Sequence, residues 1–365
     1  MTEPLSGWST TRIESHLRQR GIWSGPAPQV RTLAGGVSGT VLRLDGPDRS
    51  LVLKQALAEL NVPAVWQADP RRILTEADAL RTLHRISADH APAVLDCDRD
   101  ELLLAMQAAP EAWHTWKEQL LAGQPASEAE QVARSLGHQV RLWHQATTAA
   151  EWPTGAPDRQ RFAPTADFTA LRLDPFYRHV ADQHGGRIAE RLHQLADGLL
   201  TAQTCLVHGD LSPKNILRPA GPGTEWWLVD SECAVLGDPV FDVAFLLTHL
   251  LLKSLDPERT ELRTAAQEFW RAYCQPAAPQ TPRPGAPRTG ASRARAAVHE
   301  PLPEVHLVAH CAALMLARVD GVSKVGYLTA AQVELVRRQA TRALLEETDS
   351  LTGYLDLIGT DGSTG

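Results

Sequence analysis

The chain has 365 residues and 39.9 kDa, 43% of them hydrophobic and 22% charged, with 36 basic against 43 acidic side chains and a formal charge of −7. This is globular composition, long enough for one large domain or two moderate lobes, and 25 Pro, 25 Gly and 5% aromatic residues exclude a fibrous or wholly disordered polypeptide. The acidic balance speaks against nucleic acid as the main partner, and the longest apolar run, Val243 to Leu252, is too short to span a bilayer.

The first residues contain neither a basic nor an apolar segment of the secretory kind, which predicts a cytoplasmic protein. Thr11 and Glu14 have capping-box spacing and predict a short helix to about Arg20, within an N-terminal extension over 1–28. Val30 to Leu33, Thr40 to Leu44 and Leu51 to Lys54 are β-prone runs separated by turn residues, the pattern of an antiparallel meander. Asp69-Pro70 predicts a helix start, and Ile73, Ala77, Leu80 and Leu83 carry its apolar face to about Ile86. A further strand is expected at Leu102 to Ala105, closing a small β-rich lobe over 29–108.

The larger lobe, 109–365, opens with a second capping-box spacing, Ser127 and Glu130, ahead of a long amphipathic helix through Ala133, Leu136, Val140 and Trp143. Helices dominate beyond it, apart from β-type runs around Cys205 to Leu217 and Trp226 to Val229. A stretch from Gln275 to His299 has five Pro, seven Ala, four Arg and no acid, which predicts a flexible excursion at about 275–303. Five widely spaced cysteines without a CxxC pair suit reduced thiols better than disulfides or zinc ligands.

The chemistry is concentrated in Leu206-Val207-His208-Gly209-Asp210-Leu211-Ser212-Pro213-Lys214-Asn215-Ile216-Leu217. Asp210 and Asn215 lie in a loop flanked by apolar residues, and the run Trp226 to Val229 then delivers Asp230 at a strand end. Asp, Asn and Asp offer hard oxygen ligands suited to Mg²⁺, and phosphoryl transfer needs such a set, one carboxylate to position the attacking hydroxyl and two groups to hold metal against the phosphates.

His208-Gly209-Asp210 with Asn215, then Asp230-x-Glu232 and Gly237-Asp238-Pro239-Val240-Phe241-Asp242-Val243-Ala244, resembles the aminoglycoside phosphotransferase/choline kinase family of small-molecule kinases. The resemblance implies an α+β, two-lobed protein-kinase-like fold with a small β-rich lobe and a larger helical one. It implies Asp210 as catalytic base, Asn215 and Asp230 as magnesium ligands, ATP and Mg²⁺ as cofactors, and structural roles for Asp238 and Asp242.

Three features of the first lobe match that expectation. Gly35, Gly36, Ser38 and Gly39 lie between two strands, either an ordinary hairpin turn or a loop covering phosphates. Lys54 ends a strand and Glu76 lies on the following helix, so they are either solvated charges or the pair that holds the α/β-phosphates, with Glu59 and Glu101 as rivals to Glu76. Backbone groups of Met106, Gln107 and Ala108 would then meet the adenine. Ala109-Pro110-Glu111 spells a protein-kinase motif at the wrong place in the order, and no activation-segment signature follows Asp230, which disfavours a protein substrate.

The expected partner is a small-molecule hydroxyl acceptor of aminoglycoside, amino alcohol or sugar type. Trp113 and Trp116 have the spacing of residues that pack a helix, although stacking on a ligand is the alternative, and Glu346 to Asp349 reads as a solvated face. Acidic groups lining the site would favour cationic acceptors, whereas an inward Arg318 would favour a neutral sugar. The segment from Asp230 to Val243 also resembles methylthioribose kinases, and a catalytically silent nucleotide-binding regulator is a third reading. Six acids against two bases between Leu206 and Asp242 suggest an acidic site.

Overall fold

The computed structural model describes residues 3–33, 39–57, 68–275, 302–346, 348 and 350–359. The excursion expected at 275–303 lies almost wholly outside the described residues, as do Gly35, Gly36, Ser38 and Glu59.

Helix α1 (Thr10–Gln19) precedes a five-stranded antiparallel sheet of β1 (Gln29–Thr32), β2 (Gly39–Asp45), β3 (Ser50–Ala56), β4 (Val94–Asp98) and β5 (Leu103–Gln107), in the order β1-β2-β3-β5-β4. Helix α2 (Arg72–Ile86) crosses between β3 and β4. Side chains alternate along a strand, so β3 sends Leu51 and Leu53 to one face, against Ile13 and Leu17 of α1. It sends Val52 to the other, against Ile73, Ala77 and Leu80 of α2. Lys54 shares parity with Val52 and therefore projects toward α2. Gln55 goes the opposite way, where its Oε1 accepts from the Leu5 amide at 2.6 Å and fastens the N-terminal segment to the sheet.

Two predicted caps are not the ones formed. Helix α1 is capped by Ser9, whose hydroxyl accepts from the Arg12 amide at 3.2 Å, and Glu14 pairs instead with Arg18 one turn on. The long helix α4 (Ala126–Ala146) starts at Pro125 without a side-chain cap, because the chain is already helical at Ser127. The capping box that does form is Thr115 with Glu118, at the start of α3 (Trp116–Leu121), which follows the short strand β6 (Trp113–Thr115). Strand β4 lacks an alternating apolar pattern and had no sequence signal; it is defined by its pairing with β5.

The second lobe continues with α5 (Ala166–Phe168), a π-helical stretch over Thr169–Arg178, α6 (His179–His184) and α7 (Gly186–Thr201). Pro175 has no amide hydrogen to donate to the preceding turn, which favours the widened winding. Strands β7 (Cys205–Val207), β8 (Ile216–Pro219), β9 (Trp227–Leu228) and β10 (Val235–Gly237) form two small antiparallel ladders, β7 with β10 and β8 with β6 and β9. Helices α8 (Val240–Lys253), α9 (Leu262–Cys274), α10 (Glu304–Asp320), α11 (Ala330–Glu346) and α12 (Leu351–Gly359) complete it.

The apolar run at Val243 is the middle of α8, buried on nearly all sides, as an all-round hydrophobic helix must be. Among the described residues, no helix is long and apolar enough to cross a membrane. All five cysteines are unpaired. The small antiparallel sheet with its helix, followed by a mainly helical lobe, is the α+β architecture expected from the sequence.

Candidate active site

The strand parity that turns Lys54 toward α2 brings its Nζ to 2.7 Å from Glu76 Oε2, with both side chains buried. The same ammonium contacts Asp230 Oδ1 across the interlobe cleft. Burial by itself depresses Lys54, but Asp230, Glu76 and Glu232 outweigh it, so the amine is held firmly protonated. Carboxylate oxygens of Glu76, Asp230 and Glu232 lie within 4.8 Å of one another, and the lysine supplies the cation that makes this grouping tolerable. Glu76 is itself pushed up, mainly by burial and further by its two carboxylate neighbours, with Lys54 opposing.

The loop after β7 is built around Asp242 of α8. Its Oδ2 accepts from the His208 amide at 2.7 Å and its Oδ1 from the Gly209 amide at 2.9 Å, while His144 Nε2 lies 3.2 Å from Oδ2. Gly209 has φ +77°, and a Cβ there would stand 2.5 Å from the Cys233 carbonyl oxygen, so only glycine fits. His208 accepts from the Asp210 amide through Nδ1 at 3.1 Å, and its Nε2 lies 3.2 Å from the Val229 carbonyl, which assigns the Nε2–H tautomer by its partners. Burial lowers His208 and keeps it neutral.

Asp210 is 3% exposed and its Oδ2 faces two cations, Arg172 at 3.0 Å and Lys214 at 2.9 Å. Burial alone would raise its carboxyl, but these two charges override it and hold it below the ordinary carboxylate range. Arg172, which carried no sequence signal, comes from the π-helical stretch and also donates to the Gly209 carbonyl. Asn215 donates through Nδ2 to the Asp210 carbonyl at 2.9 Å, and its own carbonyl accepts from the Val229 amide at 3.0 Å. The next residue, Asp230, sits at φ +68°, a strained conformation for a residue with a Cβ, and faces Lys54. Burial notwithstanding, Lys54 and Lys214 hold its carboxyl far below the usual range.

Two clefts meet at this loop. One, of about 870 Å³, runs between the lobes and is lined by Gly39, Val41 and Lys54 on one side and Asn215, Leu217 and Asp230 on the other. Met106 and Gln107 line its end; Ala108 does not, and its amide points to the Ser50 carbonyl at 3.4 Å. The Gln107 amide donates to the Ala93 carbonyl at 2.8 Å. The second cleft, of about 1400 Å³, lies wholly against the helical lobe and contains Asp210, Arg172 and Arg318. Lys214 lines both.

Trp116 is fully buried and donates to Gln124 at 3.0 Å, and Trp113 packs edge-on against Trp227, so both have packing roles. Glu346 pairs with Arg342 on the surface; Glu347 and Asp349 lie outside the described residues. Asp238 caps the Val240 amide at 2.9 Å and contacts His306, and Asp242 holds the loop, so both are structural.

A paired lysine and glutamate facing a carboxylate-bearing loop across an interlobe cleft defines the chain as a phosphotransferase of protein-kinase-like architecture. The family model described as the phosphotransferase enzyme family matches residues 29–288, and the chain belongs to that family. No curated protein matches it. Among solved structures, it is similar to an aminoglycoside-3'-phosphotransferase of type VIII at 22% identity, covering 73% of this chain and 92% of that one with a TM-score of 0.49. A choline/ethanolamine kinase family protein from Mesorhizobium loti matches at 17% identity over 96% and 98% of the two chains, TM-score 0.46. A thermostable variant of aminoglycoside phosphotransferase APH(4)-Ia, in ternary complex with ADP and hygromycin B, matches at 16% identity over 97% and 99%, TM-score 0.45.

Proposed function

We propose that this phosphotransferase moves the γ-phosphoryl group of ATP to a hydroxyl of a small molecule. The observation that carries the reading is the meeting of the two clefts at one loop, with the Lys54–Glu76 pair and Asp230 on the interlobe side and Asp210 on the other. In this reading Lys54 holds the α/β-phosphates, Glu76 orients Lys54, and Gly39 with Met106 and Gln107 borders the nucleotide, Ala108 lying outside that cleft.

Asn215 and Asp230 fit a magnesium ion: the Asn215 amide nitrogen is engaged, no described residue donates to its Oδ1, and Asp230, which lines the same cleft, presents a carboxylate held ionised. When bound, the metal would neutralise the phosphate oxygens and the charge that grows on the leaving group.

Asp210 orients the acceptor hydroxyl. As the acceptor oxygen bonds to the γ-phosphorus and the bond from that phosphorus to the β-bridging oxygen breaks, the hydroxyl proton passes to the Asp210 carboxylate and ADP leaves. A carboxylate depressed by Arg172 and Lys214 is a weak base, so alignment dominates its contribution and proton acceptance comes late in a loose transition state. Lys214, between the clefts, is placed to follow the moving charge. The test is Asp210→Asn in an ATP-consumption assay over a broad acceptor panel: kcat should fall by about 10²–10⁴-fold while nucleotide binding survives. Near-normal turnover in that variant would remove the proposal.

A further inference from the structure

The second cleft has a charge that neither the family nor the composition announces. Among its described lining residues are six lysines and arginines, Lys117, Arg172, Lys214, Lys253, Arg318 and Lys324, one histidine, His249, kept neutral by burial, and one acid, Asp210. Arg172 and Lys214 are taken by Asp210. The other four have no carboxylate within ion-pair distance among the described residues.

Two of those four come from the last turns of the core helices α8 and α10. Lys253 is 3% exposed; its Nζ donates to the His249 carbonyl at 3.1 Å and lies 5.4 Å from the Tyr327 ring centre. Arg318 donates from one terminal nitrogen to Ser323 at 2.8 Å, and its buried Nε has no partner. Lys253 is buried without a counterion, and Arg318, partly buried and 5.9 Å from the Phe176 ring centre, has none either; the cost of leaving such cations unneutralised is recovered when an anion enters. A polycationic acceptor would meet the same cluster as repulsion.

Building on the phosphotransfer reading, we propose that the acceptor is a small hydroxylated anion, whose carboxylate or phosphate group is held by Lys253 and Arg318 while its hydroxyl lies at Asp210. Lys117 and Lys324, more exposed, line the same cleft. This goes beyond the aminoglycoside, amino alcohol and neutral sugar acceptors considered from the sequence, and it replaces the acidic site suggested by the local count of charges.

The groups facing Lys253 are Arg318 from α10, Lys117 from α3, Arg259 from the turn before α9, and His249 and Tyr327. None is an acid. Burial, reinforced by these positive neighbours, brings the Lys253 ammonium down to about 7, so anion capture by the free enzyme should weaken as pH rises past neutrality.

Two measurements test the proposal on the full chain saturated with Mg²⁺ and a non-hydrolysable ATP analogue, so that the phosphate-binding side is already filled. Sulfate titrated calorimetrically should bind, and Lys253→Met and Arg318→Met should each weaken it tenfold or more. Absence of sulfate binding, or undiminished binding in both variants, overturns the inference. In turnover with ATP, sugar acids and sugar phosphates should be accepted in preference to neutral sugars and kanamycin, with KM for the anionic acceptor raised at least tenfold by Lys253→Met. Preference for sugar acids over sugar phosphates, or the reverse, identifies the anionic group. Efficient turnover of kanamycin or a neutral sugar, abolished by Asp210→Asn, would overturn the anionic acceptor and leave phosphotransfer standing. Turnover unaffected by Asp210→Asn would instead strike the underlying reading.

Discussion

Arg72 on α2 and Glu232, two residues beyond Asp230, form a buried ion pair between the lobes, Nε to Oε2 at 3.0 Å. The helix that bears Glu76 is thereby tied to the segment that bears Asp230. Lys54 bridges Glu76 and Asp230 across the same junction.

That pair predicts a large stability effect. Breaking a buried ion pair by removing one partner is costly, so Arg72→Met or Glu232→Ala should each cost about 3–5 kcal/mol in urea denaturation. The double variant Arg72→Met/Glu232→Met should recover part of that loss. Single variants within about 1 kcal/mol of the parent would show that the lobes are aligned by other contacts.

Lys54 predicts a linked effect on nucleotide use and on stability. Lys54→Met should raise the KM for ATP and lower kcat/KM, and it leaves Glu76 and Asp230 without the ammonium between them, while Glu232, within 4.8 Å of both, keeps Arg72. The melting temperature should therefore fall, and added Mg²⁺ should restore part of it in the variant more than in the parent. An unchanged ATP dependence would assign the phosphate contact to another lysine.

Gly209 and Asp242 predict that the loop fails when its backbone geometry does. Gly209→Ala meets both a positive φ and a carbonyl at 2.5 Å, and should destabilise by about 2 kcal/mol or more. Asp242→Ala strands the buried amides of His208 and Gly209, at about 1–3 kcal/mol each. Thermal unfolding checks both, and an unperturbed melting temperature in either variant would contradict the assigned geometry.

Lys253 predicts a pH dependence of stability. Its folded-state value is about 7 against 10.5 when unperturbed, so between these limits the unfolded chain holds a proton that the folded chain has lost. Its contribution to stability therefore rises with pH across that window, by up to about 1.4 kcal/mol per pH unit, and is least favourable below pH 7. Lys253→Met should be more stable than the parent at pH 6.5 by a margin that shrinks by pH 9.5. A margin independent of pH would show that Lys253 titrates normally.

What could be read from the chain alone was local. The β-prone runs and the three- to four-residue spacing of α2 placed Lys54 at the end of a strand and Glu76 on the helix that follows, without deciding whether they meet. The five-residue separation of Asp210 and Asn215, with Asp230 at a strand end, marked the candidate loop. Cap positions were less legible, since Thr11 and Ser127 had the right spacing but sit where the helix has already begun. Arg72 and Arg172 are ordinary surface-type residues in sequence, and only burial against Glu232 and Asp210 gives them a role. The character of the acceptor cleft was least legible of all. Net charge and the acidic stretch around Asp210 pointed to a negative site, whereas Lys117, Lys253 and Arg318 come from three helices spread over about two hundred residues of the chain. Local potential is a sum over distance in space, not over sequence, and the packing of α3, α8 and α10 around the loop is what makes that cleft positive.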